Sequence, residues 1–327
     1  MGTPFDDSNS KTLNPHQIDG SGSHWSVRVT EGPQIHTGRG SHAAGVVDGM
    51  VVVTGGTAWN ADRTVKSFLT NTEVFGKDGW TEGPDLPIGL AEGAFAQDDT
   101  GLYLAGGLSG VDQPTTVACC ITAHHGKLQV QRLPDLPESI RGCGGAIIDG
   151  KFFVVCGQLG GRMAANHVWS LDLSSKDSKW IEMASLPGTG RAYPGVVACA
   201  DSLYVLGGLA DGTQSVHDRT LGDAFRYDPK SNRWFALGSL PMAGYCWNAA
   251  PVDARHVVLA GCADGQAHNE IWLLDINTLG ASIVGRVVIQ VACAPLIKVS
   301  ENTWWLIGGE PDSQKNRTNR VSEISLR

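Results

Sequence analysis

An apolar strand ending in a glycine pair recurs along this chain at nearly constant spacing, and such a recurrence constrains the fold more than any single motif. It reads Val51-Val52-Val53-Thr54-Gly55-Gly56 first, then Leu102 to Gly106-Gly107, Leu203 to Gly207-Gly208 and Trp304 to Gly308-Gly309. Two degenerate copies, Phe152 to Cys156-Gly157 and Val257 to Gly261-Cys262, fill the gaps. The motif's last residue falls at 56, 107, 157, 208, 262 and 309, in steps of 51, 50, 51, 54 and 47. Six units follow. None can bury an apolar face alone, so they must pack on one another.

Each unit reads as four antiparallel strands. A short apolar run precedes the glycine motif and is joined to it by a tight turn, as in Ala43 to Val47 with Asp48-Gly49, or Ala146 to Ile148 with Asp149-Gly150. Asp-Gly between apolar runs is a strong hairpin signal. After the motif come a polar loop of variable length, a strand with a bulky centre such as Asn166 to Asp172, and a tryptophan-led strand ending in Leu-Pro. Trp80, Trp180 and Trp234 lead three of these last strands. The sixth unit stops at Arg327 after its third strand, and His24 to Val29 followed by Gly32-Pro33 supplies the missing fourth. The expectation is an all-β, six-bladed β-propeller over 24–327, closed by its N-terminal strand, behind a polar tail at 1–23. These repeats resemble the Kelch family.

With 33 acidic against 25 basic residues the chain carries a net charge of −8, which argues against a broad basic face for nucleic acid or anionic lipid. No apolar run reaches the length of a membrane span. Of eight cysteines most lie in apolar strand runs, among them Cys143, Cys156, Cys199 and Cys293, and read as small buried hydrophobes. No Cys-x-x-Cys pair supports a metal site, and no cofactor is expected.

Function has to come from the mouth where the variable loops gather. Arg39, Arg141 and Arg191 open three first strands, 16, 15 and 16 positions before the glycine motif. On that spacing they form a cationic arc suited to a carboxylate, or else they bond to carbonyls and acids within the repeat. His42 and Glu92 lie close by in sequence. In the last unit Glu310 directly follows the glycine pair, and Arg317-Thr318 stands just before the next strand.

That last loop is similar to the N-acetylneuraminate epimerases, the sialic acid mutarotases of the Kelch family. In them a glutamate follows Gly-Gly and an arginine-threonine pair comes before a strand. Here the spacing is one residue longer and Asn319 stands where the family has an acid. The resemblance implies interconversion of the α and β anomers of N-acetylneuraminate, a small anionic sugar, in the periplasm. Glu310 would then be the acid/base and Arg317 would bind the substrate carboxylate. Arg39, Arg141, Arg191 and His42 would be further substrate contacts.

A non-catalytic propeller binding a glycan or protein is the alternative, with Trp59 and Trp247 as candidate rim aromatics. Cysteine-rich strands would then point to the cytoplasm. A copper radical oxidase would need tyrosine and histidine ligands, and two of the five tyrosines, Tyr103 and Tyr204, fall in inner strands. An iron-dependent enzyme would have to draw on His217-Asp218 or on Asp264 with His268.

Overall fold

The architecture follows from the repeat. In a computed structural model describing residues 25–160, 163–175 and 177–327, six four-stranded antiparallel sheets are arranged as blades, so the chain is an all-β, six-bladed propeller. The polar tail at 1–23 lies outside the described residues. Blade 1 runs Ala43–Val47, Met50–Thr54, Thr72–Gly76 and Gly79–Glu82, in that order from first strand to fourth. Blades 2 to 5 repeat the plan over 94–132, 144–182, 195–239 and 248–286. Blade 6 is built from Leu296–Ser300, Thr303–Ile307 and Val321–Leu326, and Val27–Glu31 takes its fourth position, Val27 opposite Leu326 and Glu31 opposite Ser322.

Local chemistry accounts for these elements. Asp48 and Gly49 have φ of 51° and 74°, and Asp149 and Gly150 have 49° and 67°, the double positive φ that suits a two-residue hairpin. Alternation sends successive side chains to opposite faces, so each blade is apolar on both sides. The buried apolar residues accordingly group into six clusters, one between each pair of neighbouring blades. Val53 and Val51 meet Ile307 and Trp305 between blades 1 and 6, for instance. Outer tryptophans tie neighbours together: the indole N–H of Trp80 donates to Pro33 O at 3.0 Å, Trp180 to Pro134 O at 2.8 Å, and Trp234 to Ala184 O at 2.7 Å.

Cys119 and Cys120 show the alternation sharply. Adjacent in one strand, they are buried in different clusters, Cys119 between blades 1 and 2 and Cys120 between blades 2 and 3. Six of the eight cysteines are buried in this way, and all eight are free thiols. Cys293 departs from the expectation. It is only half-buried, with Cys246, and both line the central channel.

No helix among the described residues is long and apolar enough to cross a membrane. The loops after the glycine motif carry the irregular structure: a hairpin of Thr57–Trp59 with Lys66–Phe68 in blade 1, another of Leu108–Gly110 with Gln113–Pro114 in blade 2, and a short helix, Val216–Arg219, in blade 4.

Candidate active site at the channel mouth

The six first strands surround a central channel whose cavity measures about 470 Å³. At one end each strand is entered through a residue in the left-handed region: Ser41, Glu92, Gly142, Tyr193, Cys246 and Cys293, with φ between 51° and 59°. Five of these are not glycine, and holding them there stores strain that the surroundings must offset. A ring of main-chain hydrogen bonds does so. Glu92 N donates to Ser41 O at 2.9 Å, Gly142 N to Glu92 O at 2.6 Å, Tyr193 N to Gly142 O at 2.6 Å, Cys246 N to Tyr193 O at 2.8 Å, and Ser41 N to Cys293 O at 2.9 Å.

Two acidic centres stand at this mouth. In the first, the Tyr193 hydroxyl donates to Glu92 Oε2 at 2.6 Å, and Arg141 Nη1 lies 3.7 Å from the same oxygen. Gly142 makes room for this contact, since a Cβ there would come within 3.0 Å of the Tyr193 ring. Burial first, then the charge of Glu92, push the Tyr193 phenol well above its ordinary value, so it stays a hydrogen-bond donor.

The second centre is Glu310. Its main chain bridges Ala292, with Glu310 N to Ala292 O at 2.8 Å, and its Oε1 lies 3.1 Å from Arg317 Nη1. Gly40 is the floor beneath the pair. A Cβ at residue 40 would sit 3.0 Å from Arg317 Cδ and 3.1 Å from Glu310 Cγ. Lys66, half-buried in the blade 1 hairpin, feels both centres: burial pulls its pKa below the ordinary value, Glu92 and Glu310 resist the shift, and Arg317 adds to it.

The sequence-derived residues divide sharply. Arg39 and Arg191 are corrections, because both are 0% exposed and neither lines the channel. Arg39 bonds Gly55 O at 3.0 Å and Glu73 at 2.6 Å, while Arg191 bonds Gly207 O at 3.0 Å and both oxygens of Asp223, so each is committed to holding its own blade together. Arg141 stands at the mouth beside Glu92, and its side chain is 14% exposed. The cationic arc is thus reduced to one of its three arginines, set among acids.

Arg317 reaches Glu310 but is itself occupied. It donates to Thr57 Oγ1 at 3.1 and 2.9 Å and to Lys315 O at 2.6 Å, and its side chain is 4% exposed. That geometry suits a residue that orients Glu310 and does not suit one that clasps a substrate carboxylate. His42 lines the cavity, 3% exposed, with neither ring nitrogen partnered. Burial first, then Arg39 and Arg317, keep its pKa well below the ordinary 6.5, so the imidazole is neutral.

Sequence reasoning missed the Glu92–Tyr193 pair, Lys66 and the facing cysteines Cys246 and Cys293. One signal was available. Ser41, Glu92, Gly142, Tyr193, Cys246 and Cys293 occupy one register position of the repeat, two residues after Arg39 and Arg191. Trp247 lines the channel, buried, and Trp59 donates its indole N–H to Lys315 O at 2.9 Å. Asp264 bridges His268 at 2.9 Å and His217 at 3.7 Å, but among the described residues no group of three or more His, Cys, Asp or Glu is arranged to hold a metal ion.

Residues 133–283 match the family model for N-acetylneuraminate epimerase. Curated relatives of that name are 36% identical over 131 residues in Haemophilus influenzae, 36% over 146 in Pasteurella multocida and 30% over 137 in Yersinia enterocolitica. These alignments cover 40%, 44% and 42% of this chain and 33%, 36% and 34% of the relatives, so the chain spans about a third of the length of the curated relatives it matches. The family match includes Arg141 and Tyr193 but ends before Glu310 and Arg317. It contains a second arginine-threonine pair, Arg219-Thr220, which also follows a glycine pair and leads into a strand, with Asp211 and Asp218 as the acids of that loop. From the end of blade 2 into blade 5, this six-bladed propeller is similar to N-acetylneuraminate epimerase.

Proposed function

We propose that the chain is a sialic acid mutarotase acting at the channel mouth. The observation that carries this reading is the likeness of residues 133–283 to the N-acetylneuraminate epimerase model. The mouth supports it by bringing carboxylates, a phenol and cations to the end of a cavity of about 470 Å³. That volume falls within the range of small-molecule sites.

Mutarotation needs one group to take the proton of the anomeric hydroxyl and another to protonate the ring oxygen as its bond to the anomeric carbon breaks. The open-chain ketone turns its other face, and reclosure reverses both transfers. Nothing is oxidised or reduced, so side chains suffice. Glu310, oriented by Arg317 Nη1 at 3.1 Å, takes and returns the hydroxyl proton. The Tyr193–Glu92 pair relays the second proton. Arg141, which shares Glu92 with Lys66, receives the sugar's carboxylate, because Arg317, Arg39 and Arg191 are buried against their own partners. General acid–base catalysis of this kind supplies about 10² to 10⁴-fold.

The test starts from crystalline N-acetylneuraminate, essentially one anomer, freshly dissolved in mildly acidic buffer and followed by proton NMR. The protein should shorten the approach to anomeric equilibrium by at least tenfold. A time course identical to buffer alone sinks the reading and leaves a propeller that binds without catalysing.

A further inference from the structure

The hydrogen-bonded ring at the mouth has one break. Five of its six neighbour pairs are joined through a main-chain N–H and C=O, but among the described residues Cys246 O accepts from the Asn248 side-chain amide at 3.0 Å, with no bond from Cys293 N. Two thiols face each other across that break, with Cys246 Sγ 3.1 Å from Cys293 Sγ. The separation is only about 1 Å longer than the ~2.05 Å of a disulfide. Both cysteines line the cavity, so a small solute in the channel can meet them.

We propose that Cys246 and Cys293 form a peroxide-oxidisable thiol pair whose disulfide joins blades 5 and 6 across the channel mouth. The remaining cysteines contrast with them. They are buried in the blade interfaces, where burial raises Cys119, Cys143 and Cys156 to about 12 and Cys120 and Cys199 to about 11, and none of them lies within bonding distance of another sulfur. Cys143 also lines the cavity but has no sulfur facing it, so access together with a partner in reach selects the pair.

The two sulfurs have distinct roles. Either thiol can donate in the Sγ–Sγ hydrogen bond, so the sulfur that accepts it, Cys293 in one of the two arrangements, meets the oxidant. The Cys293 thiolate attacks hydrogen peroxide: an S–O bond forms, the O–O bond breaks, and hydroxide leaves as water after taking a proton. Cys246 then gives up its proton and attacks the Cys293 sulfur of the sulfenic acid. The S–S bond forms, the S–O bond breaks and a second water departs. Two thiols lose two electrons and one peroxide becomes two waters. The disulfide supplies the covalent link at the one side of the ring that lacks a main-chain bond.

The experiment treats the folded full chain with hydrogen peroxide, denatures it in excess maleimide and counts labelled thiols by mass. The count should fall from eight to six, with a peptide linking Cys246 to Cys293 and full recovery in dithiothreitol. With its partner replaced, in Cys246→Ser or Cys293→Ser, the sulfur that meets the oxidant should be trapped by dimedone as a sulfenic acid. Eight labelled thiols after peroxide, a disulfide between other cysteines, or the absence of a dimedone adduct from both variants would each overturn the proposal.

Discussion

Blades 1 and 3 both enter their first strands with an arginine, and the two side chains have opposite fates. Arg39 lies inside blade 1, with no exposed surface and with Glu73 and the Gly55 carbonyl as partners. Arg141 lies at the channel mouth beside Glu92. The difference is a single residue of register. Gly40 bridges Thr57 in blade 1, and Arg141 bridges Gln158 in blade 3, so Arg141 is the counterpart of Gly40, while Ile140 takes the place of Arg39. One step along a strand turns a side chain to the other face. Blade 4 repeats blade 1, with Ala192 bridging Leu209 and Arg191 buried behind it. An arginine at this point of the repeat is therefore blade cement at one register and a rim group at the next.

Substitutions break this comparison in a definite order. Arg39→Met should cost the most, about 3–5 kcal/mol in urea unfolding, because it strands the buried carboxylate of Glu73. A loss under about 1 kcal/mol would show that the buried pair does not hold the blade.

His42 should give the next largest effect, through pH. Its native pKa lies well below 6.5, so the unfolded chain binds a proton that the native state refuses, and stability falls as pH drops below 6.5. The loss should grow as pH falls from 6.5 toward 5, by up to about 2 kcal/mol, and His42→Asn should remove that part of the slope. An unchanged slope would mean that the imidazole finds a partner for its charge.

Arg191→Met should cost less than Arg39→Met, roughly 1–2 kcal/mol, since Asp223 is 40% exposed and water can solvate the carboxylate left behind. Arg141→Met should change stability least, by under about 1 kcal/mol, while raising the KM for N-acetylneuraminate on the order of tenfold. The reverse pattern, an unstable protein with unaltered KM, would return Arg141 to the structural class.

The six units, their turns and their order were legible because glycine pairs and Asp-Gly turns mark strand ends by backbone geometry alone. Register was legible too, but only to the residue: the offset of 15 at Arg141 against 16 at Arg39 and Arg191 held the distinction that the structure draws. Contacts made between units were not legible. Tyr193 and Glu92 stand 101 residues apart and Lys66 reaches the mouth from a hairpin, so no local pattern connects them. Cys246 and Cys293 look like other strand cysteines until the ring sets them face to face. Glu310 and Arg317 were singled out by a loop motif, yet the role proposed for Arg317 changes once Thr57 and Lys315 are seen to occupy it.

The most direct measurement compares wild type, Arg317→Lys and Glu310→Gln in the NMR assay of N-acetylneuraminate anomerisation, alongside urea curves. The account predicts acceleration by wild type, a loss of about 10²-fold or more in Glu310→Gln with folding retained, and partial activity in Arg317→Lys. Wild-type acceleration that survives in Glu310→Gln would contradict it, and would move the acid/base to the Tyr193–Glu92 pair or to the Arg219-Thr220 loop.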